Sequence, residues 1–212
     1  MGEKTEKLKS VLKLQPVVPV LIVEDAESAV PLARALVAGG LKAIEITMRT
    51  PAALEAVRLV ADRVEGAVAG AGTILNADHY KAAVDAGAEF IVSPGTTQEL
   101  LDAARKSNVP LLPGAATASE VMALREEGYE ILKFFPAEQA GGAAYLKSLS
   151  SPLAGTMFCP TGGISLKNAK DYLSLPNVIC VGGSWVAPKE LVAAGDWDGI
   201  TKLAAEAAAL AG

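Results

Sequence analysis

The sequence predicts an α/β fold, a (β/α)8 TIM barrel with an extra N-terminal helix. Three observations predict it. Short apolar runs recur along the 212 residues at spacings of roughly 20 to 26 residues, the length of a strand–helix unit. Ala-rich segments with helix punctuation fill the intervals. No linker or low-complexity stretch divides the chain, so residues 1–212 read as a single domain of barrel size.

Taken in order, residues 3–13 form the extra helix, and the first strand is "VVPVLIV" from Val17. "DAESAVPLARALVAGG" follows, with a polar start and a Gly-Gly stop. "AIEITM" from Ala43 leads into "TPAALEAVRLVAD", whose Thr-Pro reads as an N-cap and a first-turn proline. "AVAGAG" from Ala67, "FIVSP" from Phe90 and "PLLPGA" from Pro110 are separated by "NADHYKAAVDAG" and "TTQELLDAARKSN". "TASEVMALREEG" precedes "ILKFFPA" from Ile131, and "MFCPTGG" from Met157 and "VICVGGS" from Val178 complete eight runs. Residues 196–210 read as a closing helix. Near-continuous apolar strands suit a parallel sheet covered on both faces. An open doubly wound sheet is the runner-up, but it favours a Gly-rich first turn, and here that turn is "VEDAES".

A net charge of -5 and a lack of basic clusters argue against nucleic acid. No apolar run has membrane-spanning length, and neither a signal peptide nor a myristoylation pattern is read, since position 6 is Glu. Cys159 and Cys180 sit in apolar runs and read as core thiols of a reducing, cytoplasmic setting. The one histidine, His79, lies on a helical surface segment, so no metal site is expected.

Polar residues gather at the C-terminal ends of the strands, where barrel chemistry sits. They are Glu45, Arg49, Thr73, Lys133, Thr161 and Ser184. Side-chain alternation puts Glu45, Thr47 and Arg49 on one face, and Ile131, Lys133 and Phe135 on one face. By the same parity Thr73 follows Ala69 and Ala71, and Pro94 follows Phe90 and Val92. Thr73, Thr161 and Ser184 are ordinary turn residues taken singly, and Arg49 alone is an ordinary surface charge. Lys133 is harder to dismiss, because its neighbours are large and apolar. A structural Lys133–Glu45 pair is the bland reading, but such a pair seldom improves on apolar packing. An ammonium stripped of water tends to lose its proton and become a nucleophile, which favours the chemical reading. "PTGGIS" and "VGGSW" end the last two strands, where glycine amides bind phosphate in this architecture. A pair of tight turns is the bland alternative.

The motifs "EITMRT", "GAGTILN", "SPGTT", "LKFFPAE", "CPTGGIS" and "CVGGSW", in order from Glu45 to Trp185, resemble those of the 2-keto-3-deoxy-6-phosphogluconate (KDPG) aldolases. That family also includes 4-hydroxy-2-oxoglutarate aldolase activity. The resemblance implies a class I, metal-independent lyase on a (β/α)8 barrel, a homotrimer acting on a keto-acid phosphate. It implies no cofactor beyond a covalent imine through Lys133, with Glu45 as general acid/base. It implies that Arg49 and Thr73 contact the substrate carboxylate or hydroxyls, and that Pro94 and Phe135 shape the pocket. Thr161, Gly162, Gly163, Gly182, Gly183 and Ser184 are implied to hold the distal phosphate. Thr96 departs from the apolar residue expected in "SPGTT", and Thr161 leans toward the gluconate over the galactonate epimer. A sugar-phosphate isomerase, a metal-dependent aldolase and a non-catalytic phosphosugar-binding barrel are the competing functions.

Overall fold

The computed structural model describes residues 2–210. Helices and strands alternate: α1 (Gly2–Leu12), β1 (Val17–Leu21), α2 (Ala29–Ala38), β2 (Ala43–Thr47), α3 (Ala53–Arg63), β3 (Val68–Gly72) and α4 (Ala77–Asp85). They continue with β4 (Phe90–Val92), α5 (Gln98–Lys106), β5 (Leu111–Leu112), β6 (Gly114–Ala115), α6 (Ala118–Glu126), β7 (Ile131–Phe134) and α7 (Gly142–Leu149). The last are β8 (Met157–Pro160), α8 (Ala169–Leu173), β9 (Val181–Gly183), α9 (Lys189–Ala194) and α10 (Trp197–Ala208). Among the described residues no helix is long and apolar enough to cross a membrane.

Every strand pair is parallel. One ladder has six strands in the order β5-β4-β3-β2-β1-β9, and a second has three, β6-β7-β8. Pro113 separates β5 from β6. A proline cannot donate to a ladder, so the fifth predicted strand is split into two short pieces. The Pro113 carbonyl still accepts from Lys133 N at 2.9 Å. Isolated bridges Phe158↔Val178 and Thr161↔Gly182 join the β8 strand to the β9 strand. The second strand spans one more residue than the first between those bridges, so their register cannot run unbroken.

The strands are buried on both faces because two apolar layers meet them. Ile44, Ile46, Ala69, Ala71, Leu132 and Phe158 face the helices. Val18, Phe90, Val92, Leu112, Ile131, Cys159 and Cys180 form the inner layer, and Leu8, Val11 and Leu12 of α1 pack against it. Lys4 of α1 donates to the Ala104 carbonyl at 2.8 Å, tying the helix to the end of α5. Gln15 is buried between α1 and β1. Its amide donates to Val17 O and Ala43 O, and its carbonyl accepts from Lys42 N and Ala43 N, so these four backbone groups at the starts of β1 and β2 are satisfied.

One sequence expectation needs correction, and one element was not foreseen. Thr50 does not cap α3, which starts at Ala53 after an Ala52 cap without a side-chain bond. Thr50 donates instead to Val23 O, because Pro51 and Ala52 complete a turn before the helix begins. The short α9 was not expected; it ends on a left-handed Gly195. Side-chain caps do hold at Asn76, Thr97 and Thr117, the last forming a capping box with Glu120.

Candidate active site

Lys133 is the third residue of β7, and its ladder neighbours are Gly114 and Cys159. Its side chain enters the inner layer directly above Ile131. Glu45, in the middle of β2, points into the same space. Lys133 Nζ donates to Glu45 Oε1 at 3.2 Å, and the side chains are 5% and 4% exposed. Nζ also lies 5.3 Å from the centroid of the Phe135 ring. A buried ion pair is a poor source of stability, since apolar replacement is often neutral or gains about 1–4 kcal/mol. Packing alone therefore does not explain the pair, whereas an amine and a carboxylate in contact and away from bulk water can exchange a proton.

The carboxylate fits because Gly72 has no side chain. A Cβ there would stand 2.0 Å from Glu45 Oε1. Gly70 and Gly72 are therefore the inward-facing residues of β3, while Ala69 and Ala71 belong to the helix-facing layer. The parity that aligned Thr73 with Ala69 and Ala71 consequently points it away from the interior. The backbone redirects it: Thr73 takes φ 57, a left-handed conformation rare for a β-branched residue. Such strain costs about 1–3 kcal/mol and gathers at functional sites. In this conformation Thr73 Oγ1 accepts from Arg49 Nε at 3.1 Å. Arg49 itself lies beyond β2 in a turn and is exposed, so strand parity does not govern it.

Pro94 and Phe135 border a cleft of about 560 Å³ that runs from the ends of β4, β6 and β7 out between α5 and α6, and none of Lys133, Glu45, Arg49, Thr73 or Thr161 lines it. Thr96 lines it too and donates to Gly114 O at 3.0 Å, so this departure from the expected apolar residue serves a loop contact. The two glycine pairs behave differently. Gly162 and Gly163 are both left-handed, with φ 105 and 74, and form the turn after β8. Gly182 and Gly183 are the last residues of β9 and not a turn. A Cβ on Gly182 would meet Thr161 Oγ1 at 2.2 Å, and one on Gly183 would meet the Trp185 ring at 1.8 Å. Thr161 is buried, and its hydroxyl has no hydrogen-bond partner among the described residues. A buried unpaired hydroxyl costs about 1–3 kcal/mol, which a ligand oxygen at this turn would recover. Ser184 is exposed beside it.

Residues that carry no chemical signature were missed from the sequence. Gly72 was visible only as part of "GAGTILN" and Glu138 only as the end of "LKFFPAE", while Tyr172, which hydrogen-bonds to Glu138, was not singled out. The Cys159 and Cys180 sulfurs are free and 3.5 Å apart. Their mutual hydrogen bond and burial push the Cys180 thiol well up, which suits an unreactive core thiol. His79 is exposed on α4, away from these groups.

Comparison with known proteins adds to this geometry. The family model described as "Aldolase: KDPG and KHG aldolase" matches residues 8–203. The KHG/KDPG aldolase of Escherichia coli K12 is 49% identical over 94% of this chain and 93% of its own length. A KDPG aldolase from Legionella pneumophila, solved with pyruvate captured as a covalent carbinolamine, superposes with a TM-score of 0.92 at 45% identity, covering 94% of this chain and 97% of its own. The 2-keto-3-deoxy-6-phosphogluconate aldolase of Zymomonas mobilis ZM4, solved with 3-phosphoglycerate, has a TM-score of 0.92 at 48% identity and covers 97% of both chains.

Proposed function

The chain belongs to the KDPG and KHG aldolase family, and from that premise we propose that it is a class I, Schiff-base lyase. It cleaves 2-keto-3-deoxy-6-phosphogluconate to pyruvate and glyceraldehyde 3-phosphate, and 4-hydroxy-2-oxoglutarate to pyruvate and glyoxylate. The single observation that carries the reading is the buried 3.2 Å contact between Lys133 and Glu45.

The roles follow from that contact. The neutral Lys133 amine adds to the C2 ketone, giving a carbinolamine. Glu45 delivers a proton to its hydroxyl, water leaves, and an iminium remains. The C4 hydroxyl then gives its proton to Glu45, directly or through water, as the C3–C4 bond breaks. That electron pair flows into the iminium to form an enamine, and the aldehyde departs. Protonation at C3 and hydrolysis release pyruvate and restore the amine. The iminium is the electron sink, so the chemistry calls for no metal.

Arg49 and Thr73 hold the substrate carboxylate or hydroxyls, supported by their hydrogen bond and by the strained Thr73 backbone. Phe135 shapes the pocket, supported by its ring lying 5.3 Å from Lys133 Nζ, and Pro94 shares that role by the family resemblance. Thr161, Gly162, Gly163, Gly182, Gly183 and Ser184 hold the phosphate, supported by the left-handed turn and the unpaired Thr161 hydroxyl. The two ladders read as one closed (β/α)8 ring and one domain, supported by continuity across Pro113 and the bridges between the β8 and β9 strands. Within that reading α1 is the extra N-terminal helix. The homotrimer rests on the family resemblance, and the cytoplasmic setting on the reading of Cys159 and Cys180 as core thiols.

A substrate panel tests the function. Pyruvate release, coupled to a reductase reporter, is expected from both substrates above, and more slowly from the galactonate epimer. No pyruvate from either would overturn the reading.

A further inference from the structure

Tyr172 is fully buried and takes no part in the chemistry above, yet its hydroxyl donates to an exposed carboxylate, Glu138. The two residues stand on either side of the left-handed Gly162–Gly163 turn. Tyr172 belongs to α8, which follows that turn, and Glu138 to the segment that follows β7. The segment after β7 is joined to the turn itself by backbone bonds from Ala137 N to Thr161 O at 2.8 Å and from Glu138 N to Gly162 O at 3.1 Å. On the α8 side, Asn168 Nδ2 donates to Gly163 O at 3.2 Å, and Asn168 Oδ1 accepts from Ser165 N at 2.8 Å. A Cβ on Gly163 would stand 2.7 Å from the Glu138 Cβ and Cγ, so the turn rests directly on this side chain.

We propose that the Tyr172–Glu138 hydrogen bond braces the Gly162–Gly163 turn, and that Tyr172 and Glu138 are positioning residues for the phosphorylated end of the substrate. Two consecutive left-handed glycines are a soft piece of backbone, because glycine loses more freedom on ordering than any other residue. An anion site made of amide groups needs that backbone already in place, or binding must supply the ordering. Glu138 is the side chain nearest the turn, closer than Phe135 or Gln139, and an exposed carboxylate left to itself samples many rotamers. The tyrosine hydroxyl selects one of them. Burial, and then the bond to Glu138, push the Tyr172 phenol far above its ordinary range, so it remains a donor throughout the working pH range.

This inference rests on the phosphate role given to the turn, and it separates the brace from the lysine chemistry. Tyr172→Phe keeps the ring and removes only the hydroxyl. Calorimetric titration with 3-phosphoglycerate reads the turn without catalysis, and steady-state kinetics on a phosphorylated and an unphosphorylated substrate read it with catalysis. In Tyr172→Phe the Kd for 3-phosphoglycerate and the KM for 2-keto-3-deoxy-6-phosphogluconate rise about tenfold, the loss of one positioned hydrogen bond. Turnover number and cleavage of 4-hydroxy-2-oxoglutarate stay within about twofold, because neither needs the phosphate turn. Glu138→Ala behaves like Tyr172→Phe, Glu138→Gln (which keeps a carbonyl acceptor) stays near wild type, and the double variant is no worse than either single one. An unchanged Kd in Tyr172→Phe, or an equal loss on both substrates, overturns the brace. A protein that shows the Kd shift but cleaves neither substrate supports the brace and overturns the aldolase reading alone.

Discussion

Glu45 reaches Lys133 across the space left by Gly72. A methyl group there would overlap the carboxylate, at 2.0 Å from Oε1. Gly72→Ala is therefore expected to displace the carboxylate and cut turnover by roughly a hundredfold, the scale of a misplaced catalytic group. Overpacking would also cost about 1–3 kcal/mol of stability. Steady-state kinetics with a thermal melt on the same preparation check both, and wild-type turnover would show that Glu45 is not held there. At this scale the legible residues were those whose chemistry contradicts their surroundings. Lys133 and Glu45 are charges inside apolar runs. Thr73 was picked for the wrong geometric reason, since its left-handed backbone cancels strand parity. Gly72 gave no signal, because what it contributes is the absence of atoms.

Elements were legible where period and punctuation agree. The apolar runs located the strands because both faces of each strand are covered, and Asn76, Thr97 and Thr117 capped helices as their side chains require. The fifth run hid the Pro113 break, a local backbone fact that an apolar pattern does not encode. The second glycine pair reads as the end of the last strand, and Gly182 and Gly183 do end β9, making room for Thr161 and Trp185. α1 shows how an element far from the chemistry still serves it. Leu8, Val11 and Leu12 pack against the inner layer that supports Ile131, the residue beneath Lys133. Leu12 is fully buried, so Leu12→Ala is expected to cost about 2–5 kcal/mol, as core truncations do. Denaturant unfolding should show that loss while the turnover number holds near wild type at low temperature. A stable variant would mean that α1 packs loosely.

Across the whole molecule, parallel strands bring together residues distant in sequence, Lys133 and Glu45 being 88 positions apart. β2 and β3 bring the acid and the Arg49–Thr73 pair, β7 brings the amine, and the turn after β8 with the end of β9 brings the proposed anion site. Apart from Glu45, in the middle of β2, each lies toward or just beyond the C-terminal end of its strand, so one end of the sheet gathers the amine and the glycine-rich turn, with the carboxylate within reach. That convergence was legible from regular spacing alone, because parallel strands joined by helices all point the same way. The unequal spacing of the bridges between the β8 and β9 strands was not legible, since it depends on one extra residue between two similar apolar runs. The central claim is that the buried amine forms the covalent bond. Incubation with pyruvate, reduction with borohydride and peptide mapping by mass spectrometry test it directly. One reduced pyruvate on Lys133, absent from Lys133→Ala, is the expected result; an adduct on another residue, or aldol cleavage at the wild-type rate in Lys133→Ala, would contradict it.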